Sequence, residues 1–229
     1  MSTGTIKKES FDFLKTLSKN NNRDWFNEHK NKYLEAQKNL IDFADSLLAQ
    51  MNKHDKIETE SGKESLFRIY KDVRFSKDKT PYNTHYSGGF KRATKKLRGG
   101  YYFHIQPGNS FAAGGFWGPE PHDLKRIRED IDVNYKDWNK LLNNKTFVET
   151  FGKMMGEQVS SAPRGYAKDH PAIDLLRFKQ FLFKHDFTDK EVLEPDFYKK
   201  VNDVFKKMRP VFNYMSEVLT TDANGVSLV

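Results

Sequence analysis

The residues best suited to chemistry fall in one stretch, FRIYKDVRFSKDKTPYNTHYSGGF, Phe67–Phe90. It holds Arg68, Asp72, Arg74, Lys77, Asp78, Lys79 and Tyr82. Arginine offers a planar fork and lysine a point charge for phosphate or carboxylate. The SKDK run reads as a turn with free backbone N–H groups, and Thr80, before Pro81, is held extended. Arg74, Lys77 and Lys79 are near enough to share one anion. Arg68 is not, because an extended chain advances about 3.3 Å per residue. Asp72, Asp78 and Tyr82 are groups that could move protons if neighbours tuned them. The competing reading is an internal network, Arg68–Asp72–Arg74 and Lys77–Asp78, that only pins the turn. The pattern matches no generic reaction signature.

Outside this stretch, His104, Arg164 in APRGY and Arg177 in DLLRFK are the further ligand-binding candidates. An arginine in an apolar or turn context needs a carboxylate, here Asp169 or Asp174, or an anionic ligand. His29 falls on an apolar stripe and reads as a packed core histidine. Seven histidines are present, without HExxH, HxH or an EF-hand loop, and there is no cysteine. No metal site is therefore assigned; the available pieces are His104, His122–Asp123 and Asp169–His170. GxxxxGK[ST], GxGxxG after a strand and GxSxG are all missing, so no cofactor is assigned either. Gly114–Gly115 reads as a bulge or a close strand approach.

These groups sit in a positive field. The net charge is +8, and residues 61–100 hold 11 basic side chains against 3 acidic. The segments on either side are each balanced. Such a field favours an anionic partner, either a small ligand or nucleic acid. In the second case Phe75, Tyr82, Tyr86 and Phe90 would stack on bases while the cations meet phosphates. Lys91–Arg98 reads equally as a solvated basic loop. With 37% apolar residues, no apolar run of membrane-spanning length and no N-terminal apolar core, the expectation is a soluble cytoplasmic protein without a membrane partner.

The elements that must position these residues follow from periodicity. A short helix is expected around Phe11–Leu17. A long one should run from a cap at Asn21 or Asn22 to Met51, with apolar residues at steps of three and four. In LFRIYKDVRF, Phe67, Ile69, Val73 and Phe75 alternate with Arg68, Tyr70, Asp72 and Arg74, with Lys71 as the exception on the apolar face; period two predicts a strand. YYFHIQ, the turn PGNS and FAAGGFW predict a β-hairpin. Pro119 and Pro121 open a helix with Leu124, Ile127 and Ile131 inside, and shorter helices follow near Trp138–Leu142 and Phe147–Met155. LLRFKQFLF reads as a strand, Thr188 and Glu191 as a capping box. The last helix has one apolar stripe from Val201 to Leu219 and should kink at Pro210. The result is an α+β fold: a central antiparallel sheet flanked by N-terminal and C-terminal helices, in a single domain over 1–229.

The blocks WFNEHK, RIYKDVRFSKDKTPYNTH, GGYYFHI with GGFWGPEPHDLKRIRE, and PRGYAKDHPAIDLLRFK together resemble the conserved hypothetical family known as domain of unknown function 2461. The resemblance runs from about 11 to 187, with the C-terminal helix packed on that region. It implies one α+β domain and a common site at RFSKDKTPY, and it implies no activity, cofactor or catalytic residue. Binding of a small anionic ligand is the leading expectation. Nucleic-acid binding and a purely structural or interaction role are the alternatives.

Overall fold

The computed structural model describes residues 4–93, 95–222 and 225–229. Its elements are α1 (Lys8–Lys19), α2 (Arg23–Glu28), α3 (Lys30–Met51), α4 (Gly62–Ser65), β1 (Tyr86–Lys91), β2 (Gly100–Ile105), β3 (Ser110–Phe116), α5 (Pro121–Leu142), α6 (Lys145–Phe151), α7 (Ile173–Leu176), β4 (Phe181–Phe187), α8 (Asp189–Val192) and α9 (Phe197–Thr220). The strands form one open antiparallel sheet in the order β1-β2-β3-β4. The fold is α+β, as the alternation of helical and period-two stretches predicts.

The chain divides into two units. The first comprises Met1–Lys91, Tyr102–Ala112 and Asp186–Asp203. Its core is the apolar stripe of α3, with Leu40, Phe43, Ala44, Leu47 and Met51 all buried. Phe43 packs edge-on to Phe103 of β2 at 5.5 Å and stacks on Phe197 at 5.7 Å. Alternation on β2 puts Phe103 and Ile105 inward, which leaves Tyr102 on the opposite face. α1 lies against α3, and the buried amide of Asn39 ties the start of α1 to the middle of α3: its Oδ1 accepts from the Lys7 N–H and the Ser10 hydroxyl, and its Nδ2 donates to the Thr5 carbonyl.

The second unit comprises Arg92–Tyr101, Ala113–His185 and Val204–Val229. Here Tyr101 and Phe116 pack on Phe212 of α9, and Trp138 of α5 packs on Phe181 and Tyr214. The indole N–H of Trp138 and the Tyr214 hydroxyl both donate to Asp130 Oδ2, so neither polar tip is stranded.

Several expected elements differ. The helix expected near Trp138–Leu142 is the end of α5, and the one expected over Phe147–Met155 stops at Phe151. The long N-terminal helix breaks at His29, which ends α2 and begins α3; its ring stacks on Trp25 at 4.1 Å, and its Nδ1 lies 2.8 Å from the Trp25 carbonyl. The cap is Asn22, whose side chain accepts the Trp25 N–H. LLRFKQFLF is not one strand: Ile173–Leu176 is helical and β4 starts at Phe181. Leu66–Phe75 is not a strand either, and contains only isolated bridges, Leu66 to Gly88 and Tyr70 to Tyr82. Ile69 is buried as its register requires, but Phe67 is 58% and Phe75 96% exposed. The β2–β3 hairpin, the Thr188–Glu191 capping box and the α9 stripe form as expected, and α9 runs unbroken through Pro210.

Candidate functional site

In the first unit, residues 66–88 make an irregular antiparallel excursion. Phe67 N–H donates to Ser87 at 2.9 Å, Asn83 N–H to Ile69 at 2.7 Å and Lys71 N–H to Pro81 at 2.9 Å. Beyond Lys71 the ladder stops, because side chains take over the backbone groups. Asp72 Oδ1 accepts the Arg74 N–H, and Asp78 Oδ1 accepts the Thr80 N–H. Arg74 grips Asp72 with a bidentate fork, and Lys79 donates to the Val73 carbonyl. The hub is Lys71, whose ammonium donates to Asp78 Oδ2 and to Thr80 Oγ1, each at 2.9 Å. The Lys71 bond, followed by those from Thr80, holds the Asp78 carboxyl far below the usual carboxylate range. Arg74 likewise holds Asp72 below it. Asp72, Arg74, Asp78 and Lys79 thus form an internal network; Arg68 and Lys77 have no ion-pair partner among the described residues.

The excursion closes onto α2. Asn21 Nδ2 donates to the Tyr82 carbonyl at 2.9 Å, and the Tyr82 N–H donates to Asn21 Oδ1 at 3.1 Å. Tyr82 is buried, stacked on Phe26 at 3.9 Å. Burial pushes its hydroxyl pKa up, away from any role as a base at neutral pH. Between α2 and the excursion lies a groove of about 330 Å³ lined by Arg23, Asn27, Tyr70, Lys71, Val73, Pro81 and Tyr82. It has two cations and no carboxylate in its lining. Arg23 has no hydrogen-bond or ion-pair partner among the described residues, and Lys71 uses two of its three donors.

On the outward face of β2, His104 sits in a chain of hydrogen bonds. Gln106 is oriented by Asn109, which donates to Oε1, and by Thr84, which accepts from Nε2. Gln106 Oε1 therefore accepts from His104 Nε2, 2.9 Å away. That fixes the proton on Nε2 and leaves Nδ1 to accept the Tyr102 hydroxyl at 3.0 Å. His85 stacks on His104 at 4.1 Å. Burial, then His104, then Lys71 depress the His85 pKa to about 4. Lys71 thus bears on His85 as well as lining the groove.

Arg164 and Arg177 belong to the second unit. Arg177 Nε donates to the Val159 carbonyl at 2.9 Å. Arg164 lines a groove of about 500 Å³ with Lys125, Arg128, Glu129, Asp132 and Tyr166. His170 beside it is locked, donating from Nε2 to Asp132 and accepting the Ala172 N–H on Nδ1. The basic run of 91–98 is partly structural. Arg92 is buried and donates to Asn213 at 2.6 Å, and Arg98 pairs with Asp123. Gly115, at φ +140°, leaves a Cβ position only 2.0 Å from the Phe181 carbonyl oxygen, so it serves close strand approach. Among the described residues no three His, Cys, Asp or Glu side chains are grouped to hold a metal ion.

Sequence reasoning overlooked Arg23, Lys71, His85 and Tyr102. Lys71 left a trace as the cation out of place on an apolar register. Tyr102, His104 and Gln106 recur at period two as a polar face. Arg23 and His85 left none, since their neighbours are distant in sequence.

The sequence model of the family described as "Conserved hypothetical protein (DUF2461)" matches residues 9–214. No curated protein and no solved structure matches the chain.

Proposed function

The chain belongs to the DUF2461 family, and from that premise we propose that it binds a small anion, phosphate- or carboxylate-bearing, in the groove between α2 and residues 66–88. The supporting observation is the pairing of Arg23 and Lys71 in a groove lined by no carboxylate. Arg23 brings a fork with every donor open, Lys71 a third ammonium donor, and Asn27 a neutral amide. Asp78 offsets part of the Lys71 charge, so Arg23 carries more of the attraction. Tyr70, Tyr82, Pro81 and Val73 give the groove largely apolar walls, and an apolar lining strengthens charge-assisted hydrogen bonds. The anion reading therefore moves from Arg74, Lys77 and Lys79 to Arg23 and Lys71.

The test is calorimetric titration of inorganic phosphate, sulfate and citrate at low salt. Saturable binding that falls at least about tenfold in Arg23→Gln and in Lys71→Met, yet persists in Arg74→Gln, supports the groove. Equal binding in all four proteins, or none in wild type, rejects it.

Nucleic-acid binding is favoured by one feature: Phe75 is 96% exposed, with the Arg74 guanidinium 5.9 Å from its ring centre. A flat exposed ring beside a cation suits a single-stranded base. On that reading Phe75→Ala weakens binding of a short oligonucleotide, and affinity falls steeply with salt. Oligonucleotide binding unchanged in Phe75→Ala removes it.

A further inference from the structure

We infer that the anion of the α2 groove is the phosphate of a nucleoside monophosphate whose base lies against the rings around His85 and His104. This rests on the anion-binding reading above and adds the chemical class of the ligand.

Lys71 is common to the groove and to the ribbon that carries His85. It lines the groove beside Arg23, and it belongs to the same antiparallel ladder as His85, in which Lys71 pairs with Pro81, Asn83 with Ile69 and Phe67 with Ser87. Pro81 precedes His85 by four residues, roughly 13 Å of extended chain at most, so a phosphate held by Lys71 lies on the same ribbon as the histidine pair. The surface around that pair is a row of flat rings. His85 stacks on His104 at 4.1 Å, His104 on Phe111 at 4.6 Å, and Phe67 on Tyr102 at 6.2 Å. Tyr102 lies 5.8 Å from Phe111 and closes the row. The interplanar angles are 30°, 10°, 28° and 37°, so each ring is inclined to its neighbour by well under a right angle. Such a row accepts another flat ring by offset stacking.

Two features distinguish this row from ordinary packing. Phe67, at one end, is 58% exposed, which is a large apolar ring left open to solvent. His85, at the other, has no hydrogen-bond partner on either ring nitrogen among the described residues. His104, by contrast, has both nitrogens engaged. A neutral imidazole presents one acceptor and one donor. That is the complement of a base edge, which alternates acceptor and donor groups, and not of a plain phenyl ring. Polar edge recognition, ring stacking and a cationic groove within the same unit match base and phosphate together. A free sugar phosphate would leave the rings unused, and a nucleoside would leave Arg23 unused.

The experiment titrates the full chain with AMP, UMP, adenosine, ribose 5-phosphate and inorganic phosphate. Imidazole resonances of His85 and His104 are followed by NMR in parallel. The expected result is that at least one mononucleotide binds about tenfold or more tightly than ribose 5-phosphate, a margin typical of one stacked base. His85→Ala and the exposed variant Phe67→Ala should each shrink that margin while leaving phosphate affinity intact. AMP or UMP should also shift the His85 ring protons, and ribose 5-phosphate should not. Equal affinities for mononucleotides and ribose 5-phosphate, with phosphate still bound, overturn the nucleotide inference and leave the anion groove standing. Adenosine binding as tightly as AMP, with no phosphate binding, overturns the groove and with it the monophosphate. Silence from every compound overturns both.

Discussion

The side-chain amide of Asn21 holds the backbone of Tyr82 from both sides, donating to its carbonyl at 2.9 Å and accepting its N–H at 3.1 Å. This clamp fixes α2 against residues 66–88, and so sets the spacing of Arg23 and Lys71. Asn21→Ala leaves two partly buried backbone groups of Tyr82 without partners. The expected cost is about 1–3 kcal/mol in denaturant unfolding. Asn21→Asp keeps the acceptor but turns a carboxylate oxygen toward the Tyr82 carbonyl, so it should cost at least as much. Phosphate affinity should fall in both. A fully stable Asn21→Ala protein would show that the burial of Tyr82 against Phe26 suffices to hold the two segments together.

Lys71 and Arg74 should behave in opposite ways, although both are basic residues of the same motif. Lys71 joins Asp78 and Thr80 across the tip of the excursion, and its side chain is 28% exposed. Arg74 pairs with Asp72 at the surface, with the two side chains 77% and 60% exposed. Exposed pairs contribute little, because water screens them and ordering two long side chains costs entropy. Lys71→Met should therefore speed amide hydrogen exchange through residues 72–80, while Arg74→Ala leaves exchange and melting temperature close to wild type. Matching exchange profiles for the two variants would contradict the assignment of Lys71 as the hub.

What could be read from the sequence was what local periodicity controls. The YYFHIQ and FAAGGFW hairpin, the Thr188–Glu191 box and the α9 stripe each depend on residues a few positions apart. Phe67–Phe75 has the alternation of a strand, yet Asp72 and Asp78 capture backbone N–H groups that a strand would give to its neighbour. Side-chain competition of that kind overrides period two. The site was legible only in part for the same reason. Asp72, Arg74 and Asp78 were named from their own neighbourhood. The meeting of Arg23 with Lys71, or of His85 with His104, depends on how distant segments pack and on strand register, which the pattern of one strand does not encode.

The stacked histidines give stability a pH dependence of definite sign. The folded chain holds His85 at a pKa of about 4 against 6.5 for the free side chain, chiefly through burial, with His104 and Lys71 adding to it. Between those values the unfolded chain takes up a proton that the folded one refuses. The contribution is therefore complete above about pH 6.5, is lost as pH falls, and levels off near pH 4. Solvent reaches part of the ring, so the loss should be about 1–2 kcal/mol rather than the full value implied by the shift. Unfolding free energies of wild type and His85→Gln, compared at pH 7 and pH 5, isolate this share from other titrations. The difference between the two proteins should shrink at pH 5; a difference that stays constant would place His85 in an ordinary, solvated setting.

Tyr86, the first residue of β1, carries the opposite kind of signal. It is 4% exposed, and its hydroxyl has no hydrogen-bond partner among the described residues. Burial raises its pKa well above the ordinary phenol value, and the nearby Tyr33 adds to the effect. A buried hydroxyl without a partner costs about 1–3 kcal/mol, because it gives up water and gains nothing in return. Removing the oxygen while keeping the ring spares the packing of β1. Tyr86→Phe should thus stabilise the chain by about 1 kcal/mol, read as a higher denaturant midpoint with an unchanged slope. Loss of stability in Tyr86→Phe would mean that the hydroxyl is satisfied in solution, by a bound water, for example, and that this buried position is polar by design.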